Sequence, residues 1–357
     1  MLETLDTKLL AAHASYQDHQ QVVALNDEKA GLSGFIAIHD TTLGPAMGGC
    51  RMWNYADKAS ALTDVLRLSA GMTAKNALAN LNFGGGKAVI IGNPQNAKTP
   101  ELFRALGRAI EALGGRYITG EDVGVSVADM DFTAQTTSHV RGTSAMGIGD
   151  PSPYTALGVF HGILAATSHR FGATSLAGLT VSLKGLGSVG FRLAERLHNA
   201  GAQLIVSDID QQAVARAVDA FGAAQTDTGE AHRVAADIFA PCALGGDLSA
   251  ETIPEIKAAI VAGAANNQLA SAGDADLLHR RNILYAPDFA INAGGVIAIV
   301  LGLPGVPERH VIEKTEAIGA TLSAIFARAS AENRPTAQIA DRLAQERILA
   351  ARARSAA

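Results

Sequence analysis

A doubly wound parallel α/β sheet, preceded by a separate α/β domain, is the architecture this sequence predicts, and three observations carry the prediction. A strand-like run passes through a glycine-rich loop directly into an amphipathic helix over residues 179–197. Three short apolar runs follow, each ending in turn or polar residues and separated by helical spacers, the pattern of buried parallel strands. A length of 357 residues exceeds the usual size of one domain, and 48% hydrophobic content is ample for two cores.

In chain order, the first domain is expected over residues 1–148. Gly34-Phe35-Ile36-Ala37-Ile38 reads as a strand, and Lys58 to Leu81 as a helix with apolar residues near i, i+3 and i+4. Ala88 to Ile91 reads as a strand, Pro100 to Leu113 as a helix, and Arg116-Tyr117-Ile118 as a short strand. Gly147-Ile148-Gly149-Asp150-Pro151-Ser152-Pro153 breaks both kinds of element and marks the hinge, with a helix beginning near Tyr154.

The second domain is expected over 149–334. Leu179 to Leu183 leads into Lys184-Gly185-Leu186-Gly187-Ser188-Val189-Gly190, and the helix over Val189 to Leu197 follows. In such a loop Gly185 permits the tight turn, Gly187 lets the backbone approach a pyrophosphate seated on the helix N-terminal amides, and Gly190 lets helix and strand pack closely. Gln203 to Ser207 is the next strand, and Asp208 at its end stands eighteen residues beyond Gly190. A carboxylate there accepts from ribose hydroxyls and repels a 2′-phosphate, so the loop is expected to bind NAD in a Rossmann fold. The three later runs are Ile238 to Cys242, Ile260 to Asn267 and Ile283 to Asp288, which bring Asn267, Asp288 and Asn292 to the rim of the sheet. A terminal helix after Pro335, over about 335–357, is expected to return to the first domain as a strap.

Composition excludes several classes. A net charge of −5 without a basic block argues against a nucleic-acid surface. Arg342, Arg347, Arg352 and Arg354 read as a solvated helix face. Cys50 and Cys242 are isolated, which leaves no disulfide framework and no C-x-x-C metal signature. The acidic N-terminus, Met1 to Asp6, lacks the flank and core of a secretion signal, and a cytoplasmic location is expected. Phe289 to Val306 approaches membrane-span length, but Asn292, paired glycines and Pro304 read as a loop and a buried helix. There is no G-x-S-x-G elbow and no H-E-x-x-H.

Among residues able to do chemistry, Lys75 lies on the apolar side of its helix with Leu68 and Met72, where an ammonium either snorkels to the helix end or meets a ligand. Lys87 follows Gly84-Gly85-Gly86, costly to order unless a ligand or another backbone passes close by. Leu81 and Ala88 occupy positions where a phosphate-binding Walker loop needs glycine and Ser or Thr. Asp122, after a short strand, reads on its own as a turn residue. Asp129 and Asp131 read as capping or first-turn residues, and His39 as structural, without a visible partner.

Gly44-Pro45-Ala46-Met47-Gly48-Gly49-Cys50-Arg51, Gly71-Met72-Thr73-Ala74-Lys75, Gly84-Gly85-Gly86-Lys87, Glu121-Asp122-Val123-Gly124 and Gly263-Ala264-Ala265-Asn266-Asn267 together resemble the glutamate, leucine, phenylalanine and valine dehydrogenase family over most of the chain. The resemblance implies that Lys75 binds the substrate α-carboxylate, Lys87 is catalytic and Asp122 shuttles protons. It implies NAD-dependent oxidative deamination, in which Cα loses a hydride, water attacks the iminium carbon and ammonia leaves. A lysine amine near a second cation and shielded from water serves as a base at neutral pH, and Lys75 is expected to be that cation. Thr155 and Asn267 are assigned to the nicotinamide end, and Ser188, Val189, Ala243, Ala264 and Asn292 complete the expected cofactor set, in a cleft whose closure excludes water.

For the substrate, the resemblance places Met47 where glutamate dehydrogenases carry lysine and Val296 where they carry serine. With Met47, Gly48, Met72, Val296 and Ile299 around it, a glutamate carboxylate has no cationic partner and is disfavoured by roughly several kcal/mol. A branched aliphatic side chain fits, and discrimination of about 1–3 kcal/mol per methylene leaves leucine, isoleucine and valine all as substrates. Met47, Gly120 and Cys50 depart from the leucine-enzyme pattern, and the flexible Met47 with the smaller Gly120 implies a roomier pocket, so an aromatic or broad-range dehydrogenase is the alternative, and a catalytically silent NAD-binding protein a third reading. No metal is expected. A homo-oligomer is, with an octamer as the implied state.

Overall fold

The computed structural model describes residues 2–146 and 149–355, so Gly147 and Ile148, on which the expected domain boundary falls, lie outside the described residues, as do Met1, Ala356 and Ala357. The chain forms two compact units, one of Met1–Gly149, Gly302–Val306 and Ala344–Ala357, the other of Asp150–Leu301 and Pro307–Leu343.

The first unit is built on a mixed sheet. Its strands are β1 (Leu2–Thr4), β2 (Gln21–Asp27), β3 (Leu32–Asp40), β4 (Ala46–Met47), β5 (Cys50–Trp53), β6 (Gly84–Ile91) and β7 (Tyr117–Ile118). The order is β1-β2-β3-β6-β4-β7, with β5 also on β6. β2, β3 and β6 pair antiparallel, whereas β4 and β5 run parallel to β6. Alternate residues of β3 feed two cores. Phe35 and Ala37 pack with Ala61, Val65 and Leu66 of the helix Lys58–Leu78, and Ile36 and Ile38 with Leu102, Phe103 and Leu106 of the helix Pro100–Glu111. Both faces are therefore covered, which explains why the strand reads as a continuous apolar run.

β6 begins at Gly84, four residues before the expected strand, so the glycine run is strand rather than loop. A Cβ on Gly84 would lie 1.8 Å from the Asp40 carbonyl oxygen and one on Gly85 2.1 Å from the Thr73 amide nitrogen. The glycines exist because other backbone passes across them, which decides between the two readings of that run. Asp129, not Asp131, caps its helix: Asp129 forms a capping box with Ser126, while Asp131 accepts from the Ser144 amide. His39 has partners after all, with Nδ1 2.8 Å from Thr73 Oγ1 and Nε2 2.9 Å from the Gln17 carbonyl oxygen.

The second unit is a parallel sheet of β8 (Thr180–Lys184), β9 (Gln203–Ser207), β10 (Ala224–Gln225), β11 (Ile238–Pro241), β12 (Ile260–Val261) and β13 (Leu284–Tyr285). Their order, β10-β9-β8-β11-β12-β13, is the 3-2-1-4-5-6 arrangement of dinucleotide-binding folds, and it reverses between β8 and β11. The helix Ser152–Phe171 packs against Ser188–Asn199, Gly294–Leu301 and Ile318–Glu332. The apolar run after Phe289 resolves into the helices Asp288–Ile291 and Gly294–Leu301, with Ile297 and Ala298 buried. No described helix is long and apolar enough to cross a membrane.

The terminal helix Thr336–Ser355 begins in the second unit and ends in the first. Its arginines are not simply solvated. Arg347 donates to the carbonyls of Asn76 and Ala77 in the last turn of the helix Lys58–Leu78, which also accept the Leu81 and Asn80 amides, and to the Leu81 carbonyl just beyond it, and Arg352 pairs with Asp40. Arg342 pairs with Glu332, while Arg352, despite its ion pair, and Arg354 are exposed to solvent as expected.

Candidate active site

In the first unit the reactive groups converge on β6. Lys87 sits in register opposite Ala37, is 5% exposed, and places Nζ 2.6 Å from Asp122 Oδ2. Asp122 follows β7 in a segment tied to β5 by the Cys50–Glu121 bridge. Burial alone would raise its carboxyl, but the ammonium of Lys87 and the guanidinium of Arg51 outweigh burial and hold it well below the usual carboxylate range. Nearby, burial pushes the Cys50 thiol and the Tyr117 phenol up, so both stay protonated.

Beside this pair lies an apolar wall. Met47 is buried on β4, between β6 and β7. A Cβ on the next residue, Gly48, would lie 1.9 Å from the Gly86 carbonyl oxygen and 3.1 Å from Met72 Cγ, so the side chain of Met72 rests directly on that glycine. The Gly48 carbonyl accepts from Tyr117 Oη at 2.6 Å. Asn76 Nδ2 donates to the carbonyls of Met47 and Gly84 and fixes both strands to the helix Lys58–Leu78. Lys75 lies half-buried in the last turn of that helix, three residues after Met72. Met47, Gly48, Met72, Lys87 and Asp122 are thus brought together, with Lys75 on the helix that covers them.

Sequence reasoning passed over Arg51, Asp64, Tyr55, Asn76 and Tyr117. Arg51 stands inside a quoted motif, and a buried asparagine beside a lysine on an inward helix face was the available signal for Asn76. The contacts of Arg51 with Asp122 and Asp64 link residues 71 and 13 positions apart and leave no local trace.

In the second unit the glycine loop has the geometry its residues require. Gly185 adopts φ +102°, where a Cβ would lie 2.7 Å from the Ala243 amide nitrogen, and a Cβ on Gly190 would lie 1.9 Å from the Gly185 carbonyl oxygen. Gly187 differs, since nothing lies within 4 Å of its added Cβ. It caps the helix Ser188–Asn199 with no side-chain hydrogen bond, so the amides of that first turn, at Ser188 and Val189, are free of a capping side chain. An anionic pyrophosphate fits this bare helix end.

Asp208 ends β9, but both of its oxygens already accept backbone amides: Oδ2 from Leu186 at 2.5 Å and Oδ1 from Asp210 at 2.8 Å. It therefore braces the glycine loop, and a ribose would have to use its remaining lone pairs. A cavity of about 580 Å³ opens there, lined among others by Asp208, Ile209, Gln225 and Thr226.

Further along the rim, Asn292 Nδ2 donates to the Ala264 carbonyl and to Asn266 Oδ1, while Asn292 Oδ1 is buried without a hydrogen-bond partner. Asn267 is exposed in the left-handed region at φ 52°. Thr155 stands in the first turn of its helix, and a Cβ on Gly295 would lie 2.8 Å from its hydroxyl. Val296 and Ile299, three residues apart on the helix Gly294–Leu301, are both half-buried. Among the described residues no group of three His, Cys, Asp or Glu side chains could hold a metal ion.

Residues 17–139 match the family model "Glu/Leu/Phe/Val dehydrogenase, dimerisation domain", and residues 209–352 match "Glutamate/Leucine/Phenylalanine/Valine dehydrogenase". The chain is 50% identical over 333 residues to a leucine dehydrogenase of Geobacillus stearothermophilus, covering 93% of this chain and 91% of that one. It is 46% identical over 347 residues to a valine dehydrogenase of Streptomyces albus, covering 96% and 95%. Among solved structures it is similar to the L-tryptophan dehydrogenase of Nostoc punctiforme, with a TM-score of 0.84 and 42% identity over 97% of this chain and 99% of that one.

Proposed function

Since the chain belongs to the glutamate, leucine, phenylalanine and valine dehydrogenase family and is an amino-acid dehydrogenase that uses a nicotinamide cofactor, we propose that its reaction is the reversible NAD-dependent oxidative deamination of an apolar L-amino acid, leucine with isoleucine and valine. Amino acid, NAD⁺ and water give 2-oxo acid, ammonium, NADH and a proton. The first unit is the substrate domain and the second the cofactor domain.

One observation carries the reading: a buried Lys87 lying 2.6 Å from a half-buried Asp122, with uncharged Met47 on the strand paired to that of Lys87 and Met72 against Gly48. When bound, the nicotinamide supplies the acceptor for the hydride leaving Cα. Lys75 binds the α-carboxylate and orients the substrate. Lys87 Nζ takes a proton from the water that adds to the iminium carbon, and Asp122 Oδ2 exchanges protons with Lys87 and with the departing nitrogen. At 2.6 Å such a transfer needs no rearrangement. Met47 and Met72 favour an aliphatic side chain, and Val296 and Ile299 add the same character in the second unit. Gly185, Gly187, Ser188, Val189, Gly190, Ala243 and Asp208 would hold the dinucleotide, and Thr155, Ala264, Asn267 and Asn292 its nicotinamide end. Asp208, braced against the loop, disfavours a 2′-phosphate and supports NAD over NADP.

A second reading, an aromatic or broad-range enzyme, draws on the likeness to the tryptophan dehydrogenase and on two pliable methionines in the wall. Steady-state oxidation of leucine, valine, phenylalanine, tryptophan and glutamate, each with NAD and NADP, decides. Leucine with NAD is expected to lead and glutamate to give almost nothing, whereas a preference for tryptophan or phenylalanine would replace the first reading by the second. Lys87→Ala is expected to lower kcat by roughly a hundredfold or more, and unchanged turnover would remove the mechanism. We further propose a cytoplasmic homo-oligomer, an octamer, for which the match to a dimerisation domain is the support, and its mass in solution is the test.

A further inference from the structure

The ionic group around Asp122 extends beyond the residues assigned a chemical step. Arg51 Nε lies 3.3 Å from Asp122 Oδ2, the oxygen that Lys87 Nζ reaches at 2.6 Å, so one oxygen serves two cations. At its other end Arg51 Nη1 donates to Asp64 Oδ2 at 3.0 Å, and Tyr55 Oη donates to that same oxygen at 2.5 Å. Three elements meet here: β5 brings Arg51, β6 brings Lys87, and the helix Lys58–Leu78 brings Asp64. None of the four charged side chains is more than 28% exposed, so water screens them poorly.

The two cations are not equivalent. Lysine can lose its proton in turnover, whereas a guanidinium cannot. We propose that Arg51, held from behind by Asp64, is the positioning residue that keeps Asp122 ionised and aimed at Lys87 through the part of the cycle in which Lys87 is neutral. The proposal rests on the reading of Lys87 as base and Asp122 as proton carrier.

Charge counting makes the argument. With all four groups ionised, two cations face two carboxylates. Once Lys87 is neutral, Arg51 is the remaining cation of these four groups, Lys75 being assigned to the substrate α-carboxylate, and without Arg51 neither carboxylate would have a counter-charge within the group. A buried carboxylate in that position takes up a proton and can no longer accept one from Lys87. The other titratable groups that face Asp122 do not substitute for Arg51. Tyr117 from β7, Cys50 from β5 and Tyr55 are all held neutral, burial being the largest cause in each. Arg51 itself stays charged, since Asp122 and Asp64 more than offset the effect of its burial.

The test is the pH profile of kcat/KM for leucine on the full-length enzyme, comparing wild type with Arg51→Gln, Arg51→Lys and Asp64→Asn. Arg51→Gln is expected to move the acid limb up by roughly 1–2 pH units, with kcat at neutral pH down at least about tenfold and the leucine KM changed much less. Asp64→Asn leaves Arg51 with Asp122 as its sole carboxylate in the group and is expected to move the limb the opposite way. Arg51→Lys should recover most of the Arg51→Gln shift. A purely structural role would lower stability and activity but leave the limb in place, and limbs that coincide in all four proteins would overturn the proposal. If Arg51→Gln does not fold, the sign of the Asp64→Asn shift and the position of the Arg51→Lys limb decide. Absence of leucine turnover in wild type, or full turnover in Lys87→Ala, would instead sink the underlying reading.

Discussion

Two glycines separate packing from ligand binding at the scale of single residues. Gly85→Ala would drive a Cβ to within 2.1 Å of the Thr73 amide nitrogen, and neither the strand nor the helix can retreat without unpacking. It is expected to destabilise the protein by about 3 kcal/mol or more, read from the denaturant midpoint. Gly187→Ala meets no atom within 4 Å, so its midpoint should stay within about 0.5 kcal/mol of wild type while the KM for NAD rises. A midpoint loss for Gly187→Ala matching that of Gly85→Ala would show that the loop glycine is structural after all. The sequence marks both as glycines in glycine-rich motifs and cannot separate them, because what distinguishes them is the backbone of another element, the helix Lys58–Leu78, packed across Gly85. Lys87 and Asp122 are legible through their motifs. Arg51 stands in a motif too, but its work depends on Asp64 and Asp122, which are local neighbours of neither each other nor Arg51.

Among the elements, long periodic ones are readable: the helices Lys58–Leu78 and Pro100–Glu111 fall within three residues of their expected ends, and β9 lies where its apolar run predicts. The short strands β4 and β5 are not: no strand is expected over Gly44 to Arg51, and β4 pairs in parallel with β6 and β7, β5 with β6. A polar row on the helix Lys58–Leu78 is similarly hidden. His19 Nε2 lies 3.0 Å from both the Leu66 carbonyl oxygen and Ser69 Oγ, His39 lies on Thr73, and the two rings meet edge to face with centroids 4.8 Å apart. Burial and the neighbouring His39 lower the His19 imidazole from 6.5 to about 4, and burial lowers His39 as well. The unfolded chain therefore binds these protons at higher pH than the folded one, so stability is full above 6.5 and falls as pH drops toward 4. The loss assigned to His19 is on the order of 2 kcal/mol, measurable as urea midpoints across that window. His19→Gln should lower the neutral-pH midpoint and flatten its slope, and an unaltered slope would assign the acid sensitivity to another group.

For the molecule as a whole, the terminal helix carries information that composition conceals. Four arginines near one end look like a solvated face, yet Arg347 closes the carbonyl end of the helix Lys58–Leu78 and Arg352 satisfies the buried carboxylate of Asp40. Arg347→Met keeps the aliphatic stem and removes the donors, and it is expected to cost about 2 kcal/mol. Hydrogen exchange should localise that loss to residues 76–82, and protection there equal to wild type would contradict it. Since the first unit includes residues 344–357, it cannot finish folding until those residues have been made. Its sheet and the helix bearing Lys75 are made early, and the guanidinium that will join the Ala77 and Leu81 carbonyls follows only after the whole of the second unit has been made. A nascent chain stalled before residue 344, or a product shortened there by a protease, would carry all of Lys75, Lys87 and Asp122 on a domain that lacks its last helical segment.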